Sequence, residues 1–448
     1  MPDAPAPALQ ALADLVGRFV NEEALLRRGG KVVEISATHL KIRGLSDVAR
    51  LGHLLELGDA RAEVVKIETD HLLAAPYERT LSTRIGDPAF DTGPASIEPH
   101  EAWRGRVVDA LGQPVDGGPF LVRGEARSRR SEPPSALSRQ RVDTGLRTGV
   151  RVIDIFTPLC FGQRLGIFAG SGVGKSTLLA MLAGSDAFDT VVVGLIGERG
   201  REVREFLEDT IGQAMEKTVA VVATSDESAM MRRRAPDTAM RVAEHFRDKG
   251  HRVLLILDSI TRFAHAHREV ATGAGEPPVA RGYPASVFTE LPKLLERAGP
   301  GREGSGSITA VLSVLIDGDD HNDPVADCVR GILDGHIVLD RALAAQGRFP
   351  PVNPLTSISR LAPKAWTPEE KVLVTRLKSM IARFEDTRDI RLLGAYQPGL
   401  DPELDQAVRQ VPVIYDALVQ APGDEKSPDP FAALAKHLKA QEAQNAAA

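Results

Sequence analysis

Residues 170–176 read Gly-Ser-Gly-Val-Gly-Lys-Ser, the residue types and spacing of a phosphate-binding loop. Before them, Gln163-Arg-Leu-Gly-Ile-Phe-Ala169 reads as a short buried strand. After them, Thr177-Leu-Leu-Ala-Met-Leu-Ala183 reads as the start of a helix. A strand, a glycine-rich turn and a helix N-terminus make an anion site. Backbone N–H groups point inward, the helix dipole favours negative charge, and Lys175 adds a full positive charge. Gly170, Ser171, Gly172, Val173 and Gly174 supply the cradle, and Thr177 lies in the first helical turn. The hydroxyl of Ser176 is placed to ligate a Mg²⁺ held between phosphates. The general pattern opens on glycine; here that position is Ala169, which is acceptable if it keeps negative φ. A glycine-rich turn that binds nothing is the bland alternative. Lys-Ser at the correct offset, between strand and helix, argues against it.

Further groups along the chain could complete the chemistry. Val253-Leu-Leu-Ile-Leu-Asp258 is an apolar strand ending in a carboxylate. After a phosphate loop, such an aspartate orients the metal shell. Glu198 follows the strand Val191-Val-Val-Gly-Leu-Ile196 and opens Gly197-Glu-Arg-Gly-Arg-Glu. A carboxylate there can polarise a water for in-line attack on a γ-phosphate, with Arg199 helping to hold it. The same run also reads as a charged helix start, with Glu202 and Glu205 acting on the dipole. Arg262 either reaches the phosphates or lies on a helix surface. His265 and His267, two apart, share no helix face and read as solvated side chains, not metal ligands. In Phe349-Pro-Pro-Val-Asn-Pro-Leu-Thr-Ser-Ile-Ser-Arg360 the prolines stiffen the chain. A rigid aromatic can stack on a base, and a rigid arginine can stabilise transition-state charge.

The elements that must position these residues form three groups. Residues 23–95 hold short strand candidates between turns, which predicts a small β-barrel. From 96 to 365, apolar strands alternate with helical patterns, predicting an α/β sheet covered on both faces and a ligand at the strands' carboxyl ends. Residues 366–448 read as helical. Residues 1–22 carry Leu9, Leu12, Val16, Phe19 and Val20 on one helical face, to pack on the chain's own domain or to dock a partner. The 448 residues carry 43% hydrophobic and 26% charged residues, ordinary for a soluble globular protein. A formal charge of −6 gives no bulk reason for nucleic acid as a partner. Cys160 and Cys328 stand far apart, which suggests neither a disulfide framework nor a zinc site and fits a reducing cytosol. No secretory signal or membrane-spanning run is read.

The phosphate loop, the Gly197–Glu202 run, the Asp258 strand and Pro350-Pro-Val-Asn-Pro-Leu-Thr-Ser-Ile-Ser together resemble the catalytic subunits of rotary ATPases and their hexameric relatives. Gly105-Arg-Val-Val-Asp-Ala-Leu-Gly-Gln-Pro-Val-Asp116 extends the likeness. Residues 275–299, with Gly275-Glu-Pro-Pro-Val-Ala-Arg-Gly-Tyr-Pro, narrow it to the export ATPases of type III secretion, most closely the flagellum-specific branch. The resemblance implies a RecA-like core between an N-terminal barrel and a C-terminal helical domain. It implies that Lys175 binds the β- and γ-phosphates, that Ser176 and Asp258 hold Mg²⁺, and that Glu198 activates water with Arg262 as a phosphate-side helper. It implies that Phe349 stacks on adenine, that Tyr396 covers the other ring face, and that Arg360 is an arginine finger inserted into a neighbour's site. One chain carrying both site and finger can close into a ring, and the family implies six copies.

The implied partners are a peripheral stalk regulator docking on residues 1–22, a central coiled-coil stalk, chaperone–substrate complexes and the export gate. The implied location is cytoplasmic, peripherally associated with the inner membrane at the flagellar base. The loop Asp317-Gly-Asp-Asp-His-Asn-Asp323 either faces the pore and stalk or is a solvated acidic turn. The virulence-type secretion ATPase shares the same nucleotide site and is the alternative. An RNA motor would need a basic, aromatic barrel surface, and residues 23–95 offer only Tyr77 and Phe90 among many acids. A non-hydrolysing ring subunit would lack the glutamate at 198.

Overall fold

The computed structural model describes residues 28–124, 137–170, 172–316 and 323–447, with 127–128 and 441–447 as backbone alone. The amphipathic segment 1–22, Ser171 and the acidic loop as far as residue 322 lie outside the described residues.

Contacts divide the chain into two units. The first comprises residues up to Ser96, with Ser228–Met230 and Glu269–Glu276. Its centre is a closed barrel of six strands: β1 (Gly29–Ile35), β2 (Leu40–Arg43), β3 (His53–Leu57), β4 (Ala60–Ile67), β5 (Leu72–Pro76) and β6 (Pro88–Pro94). They run in the order β1-β2-β5-β4-β3-β6, and β6 closes antiparallel on β1. Alternation puts Val32, Leu40, Ile42, Leu55, Val64 and Leu72 inside. Gly30 cannot be larger, because a Cβ there would stand 2.5 Å from the Arg43 carbonyl oxygen. The sequence marks strand candidates here at residues 31–36, 39–43, 62–68 and 71–74, and neither β3 nor β6 is among them. β6 begins on a proline and buries one residue fully, so its pattern is faint. Tyr77 is buried and gives its hydroxyl proton to Glu63.

The second unit holds a mostly parallel sheet of β7 (Val107–Asp109), β8 (Arg164–Ala169), β9 (Thr190–Ile196), β10 (Thr218–Ala223), β11 (Arg252–Asp258), β12 (Ser307–Leu315), β13 (Gly335–Val338) and β14 (Ile358–Ser359). The spatial order is β14-β13-β8-β12-β11-β9-β10-β7. β14 is antiparallel to its neighbour, and Gly299–Pro300 adds a short antiparallel strand beside β12. Every residue of β9 and of β10 is buried, as strands covered on both faces require. Each fully buried valine or leucine contributes about 1.5–3 kcal/mol.

Helices α1 (Lys175–Ala183), α2 (Gly200–Glu205), α3 (Ala229–Asp248), α4 (Ile260–Gly273), α5 (Ala285–Leu295) and α6 (Pro324–Ile332) accompany the sheet. α7 (Pro368–Asp386), α8 (Pro402–Leu418) and α9 (Pro430–Ala447) follow it. Thr367 and Glu370 form a reciprocal capping box at α7, and Asp401 caps α8. Val374, Leu377 and Ile381 of α7 share one core cluster with Val411 and Ile414 of α8.

Part of the 275–299 segment is structural. Arg297, 7% exposed, makes a two-pronged pair with Glu244 at 2.8 and 2.8 Å and a contact with Asp237 at 2.5 Å. Arg297→Ala would leave Glu244 buried and lacking this partner. The expected cost is about 3–5 kcal/mol in urea denaturation; a loss below about 1 kcal/mol would mean that the site relaxes into water. The expectation for the two histidines needs correction at His267. It is 4% exposed, with Nδ1 accepting from Arg233 at 3.2 Å and Nε2 3.0 Å from Ser286 Oγ. His265 stacks on Tyr283. α4 is packed along faces that its sequence reads as solvated.

Candidate active site

β8 delivers Ala169 to the edge of the phosphate loop in an extended strand, without positive φ, so alanine costs nothing there. Gly172 and Gly174 take φ of 76° and 102°, a left-handed region that only glycine enters freely. The loop thereby turns the chain into α1 within a few residues. Gly174 occupies the N-cap and supplies no side-chain cap. The first-turn N–H groups of α1 therefore face outward without a capping side chain, the arrangement that receives an anion. Val173 is buried beneath the loop, whereas Ser176 and Thr177 are exposed at the helix start.

Sheet order then brings distant residues to Lys175. β11 ends in Asp258, 3% exposed, and Lys175 Nζ donates to its Oδ1. β9 lies beside β11, with Leu195 level with Asp258. Immediately past β9, Gly197 turns at φ 70° and aims Glu198 back over the site. A Cβ on Gly197 would stand 3.0 Å from Arg262 Cδ, so glycine also admits Arg262. Glu198 Oε1 lies 3.7 Å from Lys175 Nζ, and Glu198 Oε2 lies 3.1 Å from Arg262 Nη1. Arg262 also donates to the Gly197 carbonyl. Two cations and two carboxylates thus converge at the carboxyl ends of β8, β9 and β11. Ser176 and Asp258 offer a hydroxyl and a carboxylate, the hard oxygen donors that Mg²⁺ takes.

Burial pushes the Glu198 carboxyl above its ordinary range. Lys175 draws it down, Asp258 pushes it up, Arg262 draws it down and the Glu202 hydrogen bond pushes it up. A base must be ionised to act, so activity falls as pH drops through this raised value. The acid limb of kcat/KM is expected above the range of an ordinary glutamate. Arg262→Met removes one of the lowering charges and is expected to move that limb to higher pH. Comparing pH profiles of variant and wild type on ATP cancels the titration of the substrate's own phosphate. An unmoved limb would show that Glu198 is not the titrating group.

The other candidates divide. Phe349 is brought to the loop: its ring carbons lie 3.8 Å from where a Gly174 Cβ would stand, and it is 44% exposed. Leu339 bridges Val352, and Asn353 N–H donates to Val338 O at 3.0 Å, which fixes this segment at the carboxyl end of β13. The chain then doubles back through β14. Arg360 N–H reaches Asp334 O at 2.8 Å, and Asp334 N–H reaches Arg164 O at 2.9 Å. Arg360 therefore leaves from the amino end of the sheet, roughly 17 Å of strand away from its own phosphate loop. Its side chain is exposed, with no hydrogen bond or ion pair to the described residues.

Arg199 is not drawn into the cluster; it is exposed and pairs with Glu202 at 3.3 Å. Tyr396 gives its hydroxyl proton to Asp405 Oδ1 at 2.6 Å, and none of its polar or ring contacts among the described residues involves Phe349. The residue that does meet the Phe349 segment is Gln420, whose N–H donates to Phe349 O at 2.8 Å. Arg348 lies over the Tyr415 ring at 3.8 Å. Nothing in the sequence distinguishes this glutamine from any other near a helix end.

Residues 149–359 match the ATP synthase alpha/beta family, nucleotide-binding domain. Residues 366–440 match the T3SS EscN ATPase C-terminal domain. The flagellum-specific ATP synthase of Rhizobium meliloti (strain 1021) is 60% identical over 98% of this chain and 95% of its own. The assembled ATPase EscN of the enteropathogenic E. coli type III secretion system superposes with a TM-score of 0.85 at 40% identity, over 91% of this chain and 100% of its own. EscN in complex with its central stalk EscO gives a TM-score of 0.84 at 40% identity, with the same coverages.

Proposed function

This chain belongs to the flagellum-specific ATP synthase family, and from that premise we propose how its residues hydrolyse MgATP to energise or initiate export of flagellar proteins through the type III apparatus. One observation carries the mechanism. Lys175, Glu198, Asp258 and Arg262 meet at one end of the sheet, while Arg360 stands exposed at the other. The site lacks a charge that its own chain holds out of reach, and a second copy can supply it. Head-to-tail contacts of this kind close into rings. Six copies are what the family resemblance implies.

The triphosphate lies along the N–H groups of the loop and α1, with Lys175 on its β- and γ-oxygens. Ser176 and Asp258 would hold Mg²⁺, which would supply positive charge to offset that of the phosphates. Glu198 orients a water in line with the γ-phosphorus and accepts its proton. Arg262 holds Glu198 in that orientation. Arg360 from the next copy meets the charge that spreads over the transferring phosphoryl group. Phe349, 44% exposed, presents its face to the adenine.

The wider assembly follows the resemblance. A central stalk and the acidic loop at 317–323, a peripheral stalk regulator and residues 1–22, and chaperone–substrate complexes on the C-terminal helices form the proposed contacts. Leu392, Leu393 and Leu400 stand exposed between α7 and α8 and suit an apolar partner there. No helix among the described residues is long and apolar enough to cross a membrane. We place the protein in the cytoplasm, peripherally held at the inner membrane below the export gate, with no nucleic-acid role. The test is Glu198→Gln at the chromosomal locus, with filaments imaged by electron microscopy. Loss of filaments at unchanged protein level is expected. Normal filaments with lost secretion of non-flagellar substrates would assign the chain to a virulence-type system.

A further inference from the structure

We propose that Gln420 is a positioning residue that couples the C-terminal helices to the adenine contact of Phe349. The proposal rests on the reading of Phe349 as that contact. Gln420 is 4% exposed, and its hydrogen bonds among the described residues reach distant segments. Its side-chain Oε1 accepts the Arg151 N–H at 3.0 Å, and its Nε2 donates to Gly149 O at 2.8 Å. Arg151 opens the short helix Arg151–Phe156, whose N-cap, Val150, makes no side-chain cap. Gln420 is thus a helix cap delivered from nearly 270 residues away (|i−j| = 269). One group must accept and one must donate, which an amide does and which leucine, glutamate or methionine does not.

The backbone of the same residue holds Phe349. Gln420 N–H donates to Phe349 O, at 2.8 Å. Arg151 closes the loop from the other side, with Nη1 donating to Ala417 O at 3.0 Å and to Val419 O at 3.1 Å. One residue earlier, Arg348 covers the ring of Tyr415 on α8, and the Tyr415 hydroxyl reaches Glu385 of α7 at 3.1 Å. The base-stacking residue is therefore tied to α7 and α8 through its carbonyl and its neighbour, while its ring faces the phosphate loop at Gly174. A displacement of the C-terminal helices is transmitted to the Phe349 backbone without passing through the sheet. The consequence is a device by which a partner on those helices tunes nucleotide affinity separately from the hydrolytic step.

The experiment is a double-mutant cycle on the full-length ATPase, reading KM and kcat for ATP. Phe349→Ala is expected to raise KM roughly tenfold, the scale of one lost base stack. Gln420→Leu is expected to raise KM at least about threefold, with kcat changed less than about twofold. In the Phe349→Ala background, Gln420→Leu is expected to add almost nothing, since the ring it positions is gone. Equal factors in both backgrounds, or an unchanged KM in Gln420→Leu, would overturn the coupling. An unchanged KM in Phe349→Ala would instead overturn the adenine reading and the proposal with it. Should Gln420→Leu fold poorly, Gln420→Glu keeps the acceptor for Arg151 and turns a carboxylate oxygen against Gly149 O. The same cycle then applies, with ADP affinity by calorimetry as the second readout.

Discussion

Glu198→Gln is expected to lower ATP turnover by about 10²–10⁴-fold while leaving nucleotide binding close to wild type, the range that a positioned general base contributes. Glutamine keeps the size and the contact with Arg262, but it cannot accept the proton of the attacking water. The groups proposed to bind phosphate remain in place: Lys175, the loop and the first turn of α1 are untouched. The fold should not suffer, because burial already disfavours the ionised carboxyl at this position. Single-turnover hydrolysis and equilibrium binding of ATP separate the two effects. Turnover within about threefold of wild type would remove Glu198 from the chemical step.

The second large effect concerns Arg360. Arg360→Ala is expected to reduce turnover by about 10³–10⁵-fold, the range seen when a phosphoryl-transfer site loses an arginine supplied in trans. Lys175→Ala is expected to be comparably inactive. Mixed together, the two proteins should regain activity. Some interfaces then pair an intact Lys175 on one copy with an intact Arg360 on the next. Random mixing makes about one interface in four competent, which bounds the recovery at roughly a quarter of wild type. The position of Arg360 motivates this expectation. It leaves the amino end of the sheet, next to Asp334 and Arg164, and cannot reach Lys175 of its own chain. No recovery with subunit mixing demonstrated by a tagged copy would exclude action in trans.

Both expectations draw on features that differ in how far the sequence announces them. The phosphate loop is local. Its glycines, Lys175 and Ser176 are consecutive, and the conformation they need is dictated by their own φ preferences and by the helix that follows. Asp258 and Glu198 are nearly as plain, because one ends a continuous apolar strand, the other follows such a strand by two residues, and strand ends of this kind gather on one side of a parallel sheet. The helical and barrel regions were legible from periodicity, apart from β3 and β6, where a short strand or an initial proline blurs the alternation. Arg199 shows the limit of local reasoning. It is adjacent to Glu198, yet the turn into α2 sends it outward to Glu202. Tyr396 shows the same limit over a longer distance, since Asp405 holds its hydroxyl at the start of α8.

Residue order along the chain was therefore enough to read a nucleotide-hydrolysing core and to propose its phosphate and metal ligands and its catalytic carboxylate. Each is fixed by backbone geometry within a few residues of a strand end. Tertiary structure alone decided which cation faces Glu198, that Arg360 points away from its own site, and that Gln420 rather than Tyr396 meets the Phe349 segment. Those outcomes depend on strand order, on the antiparallel return of β14 and on hydrogen bonds spanning up to 271 residues. A contact between distant segments is set by how the whole sheet and its helices pack, and no window of sequence carries that information.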